Sequence, residues 1–289
     1  MLVPDWETNK LYLSPLLKKW YPTFAKRFLK ILAEHNIDVD WLPHTKDIWC
    51  YDFMPMQCYR NELVEVIHPL IDYISFDYNP SYLQEKRVKD YLTQPIDVCN
   101  ALKLNYDLSE LILDGGSIVY GSDAAIVSTR VIYDNYKKGC DNIVQELYDT
   151  LDIANIMIMP QMEDEMTGHI DGFIRFMDDE TLVVSNISVY EHHYVANTFA
   201  CINNIKSHEI ITTPPLFLEE WPVNAVGCYL NYLHIGDKIF VPVFNHAMDK
   251  VALKFFKDVY RNYEIIPVLS TEIARDGGVL NCISWNVKE

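Results

Sequence analysis

One cysteine stands where a packing residue has little reason to be. Cys282 follows a glycine pair in the string Asp276-Gly277-Gly278-Val279-Leu280-Asn281-Cys282-Ile283-Ser284-Trp285. Three other strings carry the groups a thiol nucleophile needs: Trp49-Cys50-Tyr51-Asp52, Leu113-Asp114-Gly115-Gly116-Ser117 and Gly168-His169-Ile170-Asp171-Gly172. A thiolate attacks, an imidazole moves protons, and carboxylates hold a cation. Together they suggest nucleophilic chemistry on a cationic guanidino group.

Each residue also has an ordinary reading. His169 and Asp171 are two apart, so a strand would point both to one face, with Gly168 and Gly172 allowing close backbone approach. A turn in which Asp171 caps the backbone fits equally. Asp52 sits in the apolar run Trp49–Pro55, where an acid is costly unless it is paired with a cation or satisfied by backbone N–H groups. Asp114 before Gly-Gly also fits a tight turn, and Asn231 between Leu230 and Tyr232 fits a hydrogen-bonded core residue. His192-His193 lacks acidic or cysteine partners at helical spacing and reads as helix surface. Met157, Met159, Met162 and Met166 read as core and loop filler. The run Glu163-Asp164-Glu165 reads as a solvated loop that could also admit a cation.

The chain has 289 residues, of which 49% are hydrophobic. That is enough for a large core, and nothing resembles a linker, so one domain over 1–289 is expected. No apolar run reaches membrane-spanning length, and the opening residues lack the pattern of a signal peptide. A soluble cytoplasmic protein without membrane partners is expected. Seven cysteines without a Cys-x-x-Cys pair argue against a disulfide scaffold or structural zinc. The net charge of −17 leaves no basic surplus for nucleic acid, while an acidic field would draw a small cation.

The elements that must position these residues recur. Hairpin-like segments run from Trp49 to Ile67, Leu111 to Val127, Phe173 to Val184 and Tyr229 to Val243. Their turns fall near Arg60-Asn61, Gly121-Ser122-Asp123, Asp178-Asp179 and Gly236-Asp237, residues suited to positive φ. The tips lie about 55 to 60 residues apart, a supersecondary period. Helix-like stretches Cys140–Leu151, Tyr190–Asn203 and Ala247–Tyr260 precede strand-like Asn155–Met159, Glu209–Thr212 and Glu264–Val268. Near the start, Ser14-Pro15 opens a helical pattern through Leu17, Trp20, Phe24, Phe28 and Ile31, followed by the strand-like segment Ile37–Trp41. This is a ββαβ-type unit repeated about five times, with one unit split between the termini. The first strand of each hairpin holds one out-of-pattern polar residue: Asp52, Asp114, Asp171, Asn231 and, in the split unit, Cys282. If the units close into a ring, these five converge.

The strings, taken in order, resemble the agmatine deiminase and bacterial, Porphyromonas-type peptidylarginine deiminase family of the guanidine-modifying superfamily. The resemblance rests on Pro4-Asp5-Trp6-Glu7, Asp47-Ile48-Trp49-Cys50-Tyr51-Asp52-Phe53-Met54-Pro55, Asp114-Gly115-Gly116-Ser117, Thr167-Gly168-His169-Ile170-Asp171 with Arg175-Phe176, Tyr229-Leu230-Asn231-Tyr232-Leu233, and Gly277-Gly278-Val279-Leu280-Asn281-Cys282-Ile283. Tyr51 departs from the family's usual Arg, and Gly172 from its usual Asn or Glu.

The resemblance implies an α/β fold, the five-bladed pseudo-fivefold α/β propeller called a pentein. It implies a deiminase that hydrolyses a guanidino substrate without metal or other cofactor, most simply agmatine, giving N-carbamoylputrescine and ammonia. Cys282 would be the nucleophile and His169 the acid and base, with Asp52 and Asp171 on the guanidinium. Trp49, Asp114, Asn231 and Gly278 would line or orient the site. Deimination of peptidyl arginine, amidino transfer and a non-catalytic binding role are the alternatives, and a homodimer is compatible with the family.

Overall fold

The computed structural model describes residues 1–60, 70–83, 91–162, 165–186, 201, 208–216 and 224–289. Its strands form five three-stranded sheets built to one plan, in which the first strand is antiparallel to the second and the second parallel to the third. Blade I comprises Met56–Arg60, Leu70–Asp77 and Tyr106–Ile112. Blade II comprises Ile118–Tyr120, Ala124–Ser128 and Asn155–Met159. Blade III comprises Ile174–Phe176, Thr181–Val184 and Glu209–Thr212. Blade IV comprises Leu233–Ile235, Lys238–Val243 and Glu264–Leu269. Blade V takes Ser284–Val287 from the end of the chain and Lys10–Leu13 and Val39–Trp41 from its beginning. This is the expected split unit.

The plan follows from connectivity. An antiparallel pair needs only a tight turn, and Gly236 supplies positive φ (56°) between the first two strands of blade IV. A parallel neighbour needs a crossover, and helices provide it: Pro95–Leu102, Thr129–Lys138 with Ile143–Leu151, Met248–Val259, and Pro22–Glu34. Ser128 caps the Thr129–Lys138 helix by accepting the Arg130 N–H, and Gly139 ends it at φ 97°. Pro22 divides the expected N-terminal helix into Leu16–Trp20 and Pro22–Glu34. Burial grades outward. Ile174–Phe176, Thr181–Val184 and Leu233–Ile235 are wholly buried, whereas the third strands Glu209–Thr212 and Val39–Trp41 are half exposed.

Two interactions join blade V to blade I. The buried Gln57 side chain donates to Lys288 O at 2.8 Å and accepts from Lys288 N at 2.7 Å. Trp285 Nε1 donates to Pro55 O at 3.0 Å. Blades II and III are tied at their tips, where Asp179 accepts from Ser122 N and Oγ at 2.7 and 2.9 Å.

Several expectations shift. Trp49–Phe53 is not strand: Cys50–Phe53 is a single helical turn, and the strand begins at Met56. The partner of Met56–Arg60 is Leu70–Asp77 rather than a segment ending at Ile67, and the expected turn residue Asn61 lies outside the described residues. Leu111 and Ile112 close blade I instead of opening blade II. His192, His193 and nearly all of the expected helix Tyr190–Asn203 also lie outside the described residues.

Beneath blade IV, Phe256 stacks on Tyr260 with ring centroids 5.5 Å apart and meets Tyr232 edge-on at 5.4 Å. Phe256 is fully buried. Phe256→Ala is expected to lower unfolding free energy by ~3–5 kcal/mol in urea titration, through lost transfer energy and the cavity left behind.

Candidate active site

The five out-of-pattern polar residues lie just before the first strands of their blades, on turns. Asp52 is in the helical turn Cys50–Phe53, and Asp114 precedes the 3-10 turn Gly115–Ser117. Asp171, Asn231 and Cys282 stand two or three residues ahead of Ile174, Leu233 and Ser284. Alternation along a strand therefore does not aim them. The turns do, and they bring all five together.

One half of the site centres on the thiol. Cys282 Sγ lies 3.2 Å from Asn231 Oδ1 and 3.9 Å from Asp171 Oδ2. Asp171 Oδ2 accepts from Asn231 Nδ2 at 2.6 Å and from Asn281 Nδ2 at 2.8 Å. Asn231 thus fixes both Asp171 and the thiol, and Asn281 is a partner that the sequence reading did not single out. The backbone joins in: Tyr51 N donates to Cys282 O at 3.1 Å.

The other half centres on the imidazole. His169 Nε2 lies 3.0 Å from Asp114 Oδ2, and Nδ1 lies 4.0 Å from Asp52 Oδ1. Asp52 Oδ1 accepts from Gly116 N at 3.2 Å. Tyr82, absent from the sequence expectations, donates its hydroxyl proton to Asp114 Oδ2 at 2.6 Å and sits 3.3 Å from His169 Nε2. Glu165 is not part of a solvated loop, as was expected of its acidic run. Its carboxylate accepts the N–H groups of Thr167, Gly168 and His169 and so shapes the turn that presents the imidazole. Glu163 and Asp164 lie outside the described residues.

Glycines permit these approaches. A Cβ on Gly116 would stand 2.2 Å from His169 Nδ1, one on Gly115 2.0 Å from Tyr51 O, and one on Gly278 2.4 Å from Trp49 Cζ3. Trp49 therefore lies flush against Gly278, which lines a cavity of about 30 Å³ with His169, Asp171, Cys228, Asn231 and Cys282. Gly277, at φ 104°, makes the turn before the thiol.

Burial and charge set the protonation states. Burial, reinforced by the charges of Asp171 and Asp52, holds the Cys282 thiol well above its ordinary value. Burial raises Asp52 to about 8, against the attraction of His169 and with the repulsion of Asp114 and Asp171. Asp171 is also raised, by burial, despite His169 and its asparagine donors. Burial disfavours the His169 cation, but Asp114 and Asp52 together overcome it, and its pKa stands well above the ordinary range. Burial works against the Asp114 carboxylate too, yet the His169 charge and hydrogen bond, with the Tyr82 hydroxyl, bring it below its usual value. The resting arrangement is an imidazolium–carboxylate pair, a neutral thiol, and two carboxyls short of a counter-charge.

Arg175 and Arg130, which by type could read a substrate carboxylate, are committed to internal partners. Arg175 is buried, forms an ion pair with Asp5, donates to Tyr232 O at 3.2 Å and stacks on the Tyr232 ring. Arg130 holds Ser81 Oγ and Met166 O, each at 3.0 Å. Among the described residues no group of His, Cys, Asp and Glu has the arrangement of a metal site.

A ring of five ββαβ-type units with a buried Cys-His-Asp-Asp centre defines the pentein class. Solved structures with this fold overlay the whole chain. A C. jejuni agmatine deiminase matches with a TM-score of 0.75 at 20% identity, covering 100% of this chain and 96% of the other. The agmatine deiminase of Enterococcus faecalis matches with a TM-score of 0.76 at 13% identity, covering 100% and 95%. By sequence, a Photobacterium profundum protein provisionally named agmatine deiminase is 26% identical over 224 residues, 66% of this chain and 61% of that protein. The match thus spans about three fifths of the length of the relative. The chain belongs to the family described as Porphyromonas-type peptidyl-arginine deiminase, whose profile matches residues 23–287.

Because the thiol is held protonated near neutrality, alkylation of Cys282 by iodoacetamide, followed by peptide mass spectrometry, should accelerate ~10-fold per pH unit from 7 to 9 without levelling off. A plateau near pH 7 would mean that the resting group is already a thiolate.

Proposed function

We propose that the chain is a single catalytic unit that hydrolyses the C–N bond of a small guanidino substrate, most simply agmatine, releasing ammonia and N-carbamoylputrescine. The observation that carries this reading is the juxtaposition of Cys282 with Asp171, and of His169 with Asp52 and Asp114, in one buried site. Three carboxylates against one imidazole leave room for an added cation, and a planar guanidinium offers paired N–H donors to Asp52 and Asp171. The named agmatine deiminases among the relatives and structural neighbours support the substrate class.

The chemistry follows from the resting charges. A bound guanidinium places positive charge beside Asp52, Asp171 and Cys282. That favours ionisation of both carboxyls and of the thiol. The thiolate forms a C–S bond to the guanidinium carbon, giving a tetrahedral adduct. His169 gives its proton to one nitrogen, the C–N bond breaks, and ammonia leaves an S-amidino-cysteine cation. The neutral imidazole then takes a proton from water as the oxygen bonds to the same carbon. The C–S bond breaks as the hydroxyl proton passes to a neighbouring carboxylate such as Asp52 or Asp171, the ureido product departs, and the thiolate is restored. Asn231 keeps the thiol and Asp171 in register, while Trp49 walls the site beside Gly278.

Commitment of Arg175 and Arg130 to internal partners favours a small amine over peptidyl arginine, whose backbone carboxylate or carbonyl would call for a reader. Free thiols at all seven cysteines fit a reducing, cytoplasmic setting, and the product would feed polyamine biosynthesis.

Ammonia release should be measured with agmatine, free arginine, peptidyl arginine and methylated arginine. Release from agmatine foremost, abolished in Cys282→Ala with unchanged circular dichroism, is expected; near-normal turnover by that variant would overturn the mechanism. A subtler change tests the geometry. Gly116→Ala pushes on the imidazole rather than removing a reacting group, and kcat should fall by ~100-fold or more while the protein stays folded.

A further inference from the structure

Tyr82 lies in none of the motif strings, yet its hydroxyl touches two members of the site. It donates to Asp114 Oδ2 at 2.6 Å and stands 3.3 Å from His169 Nε2. Its ring meets the imidazole edge-on, with centroids 5.8 Å apart. The short turn Ser81–Leu83 that carries it is pinned at Ser81, whose N–H donates to Asp134 Oδ2 at 2.9 Å and whose Oγ accepts from Arg130 Nη1 at 3.0 Å. Arg130 also holds Met166 O, on the approach to Gly168 and His169. One guanidinium therefore clamps the segment bearing the phenol to the segment bearing the imidazole. The hydroxyl is placed by construction.

We infer that Tyr82 is a positioning residue that tempers the Asp114–His169 pair, so that the imidazolium can release its proton during turnover. This rests on the proposed role of His169 as proton donor. The argument concerns a single oxygen. Asp114 Oδ2 receives both the His169 Nε2–H and the Tyr82 O–H, and a carboxylate oxygen shared by two donors holds each less tightly than it would hold one. Remove the phenolic O–H and the whole charge of that oxygen faces the imidazolium. His169 would then bind its proton more strongly, which suits an ion pair and hinders a general acid.

The other groups around His169 all act against the phenol and do not substitute for it. Asp52 faces Nδ1 from the helical turn, Asp171 lies on the same turn as His169, and Glu165 accepts the His169 backbone N–H. All are acids that favour the cation. Arg130, the nearby base, is turned to Ser81 and Met166. Nor does Tyr82 serve as a proton donor to substrate itself. Burial, with the charge of Asp114 next, drives its own pKa well above the usual phenol range.

Tyr82→Phe keeps the ring and removes only the hydroxyl. With a substrate that turns over, kcat should fall ~5–50-fold with KM within about twofold. The alkaline limb of the kcat–pH profile should move upward by ~0.5–1 pH unit. A purely structural role would lower activity without moving the limb. A limb that stays in place or moves downward, or a change confined to KM, would overturn the inference. The titration of the His169 ring nitrogens, followed by NMR in wild type and Tyr82→Phe, gives a readout independent of turnover. An upward shift of the imidazole in the variant is expected, and superimposable titrations would refute the role. Should wild type release no ammonia from any guanidino compound, the reading of the reaction fails on that result alone, and the ring titration still decides the part played by Tyr82.

Discussion

Three carboxylates and one imidazole share a site from which water is largely excluded, and the rest of the structure is arranged around that electrostatic imbalance. Asp114 claims the His169 cation at 3.0 Å, and Asp52, with Nδ1 at 4.0 Å, has the weaker hold on it. Hence the two acids diverge: Asp114 falls below its ordinary pKa and Asp52 rises to about 8. Fully ionised, three carboxylates and one imidazolium would leave two uncompensated negative charges, which a low-dielectric site resists. Taking up protons relieves the repulsion in the resting protein, and a guanidinium would relieve it by exchange for those protons. Binding and activation of the thiol would then be a single event, because the cation that ionised the acids would also sit beside it.

Ring closure makes that concentration of charge feasible. No blade holds more than a fraction of the site, and each contributes a side chain from the turn ahead of its first strand. A turn can aim a carboxylate along the axis while its backbone N–H groups are spent on neighbours: Gly116 N donates to Asp52, and Gly116 O accepts from Ile170 N at 2.8 Å. Turns of adjacent blades thus brace one another. Glycine at 115, 116 and 278 is the steric condition, since each would otherwise drive a Cβ into its neighbour. The same logic explains why the two ends of the chain meet in one blade. With Ser284–Val287 paired to Lys10–Leu13, the segment bearing Cys282 is locked into the ring and not left at a free end.

The repeat and the convergence of its polar residues were legible because periodicity survives without knowledge of tertiary contacts. Hairpin tips rich in Gly, Asp and Ser recur at a nearly constant interval, and one polar residue interrupts each apolar run. What was misread was local. Asp52 was placed in a strand because its neighbours from Trp49 to Phe53 are apolar, and an apolar run of that length does not distinguish a helical turn from a strand. Glu165 looked solvated within an acidic run, yet its carboxylate is consumed by three consecutive backbone N–H groups, a pattern that only the folded turn reveals. Tyr82 and Asn281 gave no signal at all. A tyrosine between Ser81 and Leu83 is ordinary in one dimension, and its value comes from the Arg130 clamp, a contact 49 residues distant in sequence.

Tyr51, where the resemblance implies an arginine, separates what a side chain does from what its backbone does. Its N–H donates to Cys282 O, and its carbonyl lies where a Cβ on Gly115 would fall. Both contacts belong to the main chain and persist with any side chain but proline's, so placement of Cys282 does not depend on a phenol or a guanidinium at 51. Tyr51 lines a small cavity with Asp5, Asp52, Tyr120 and Asn286. Positive charge near that cavity comes instead from Arg175, held between Asp5 and the Tyr232 ring. A second guanidinium at 51 would meet that one in a dry space. A phenol there leaves Arg175 as the local cation. The consequence reaches the site beside the thiol: Arg175 draws on Asp171, yet burial outweighs it, and that acid stays raised and short of counter-charge at rest.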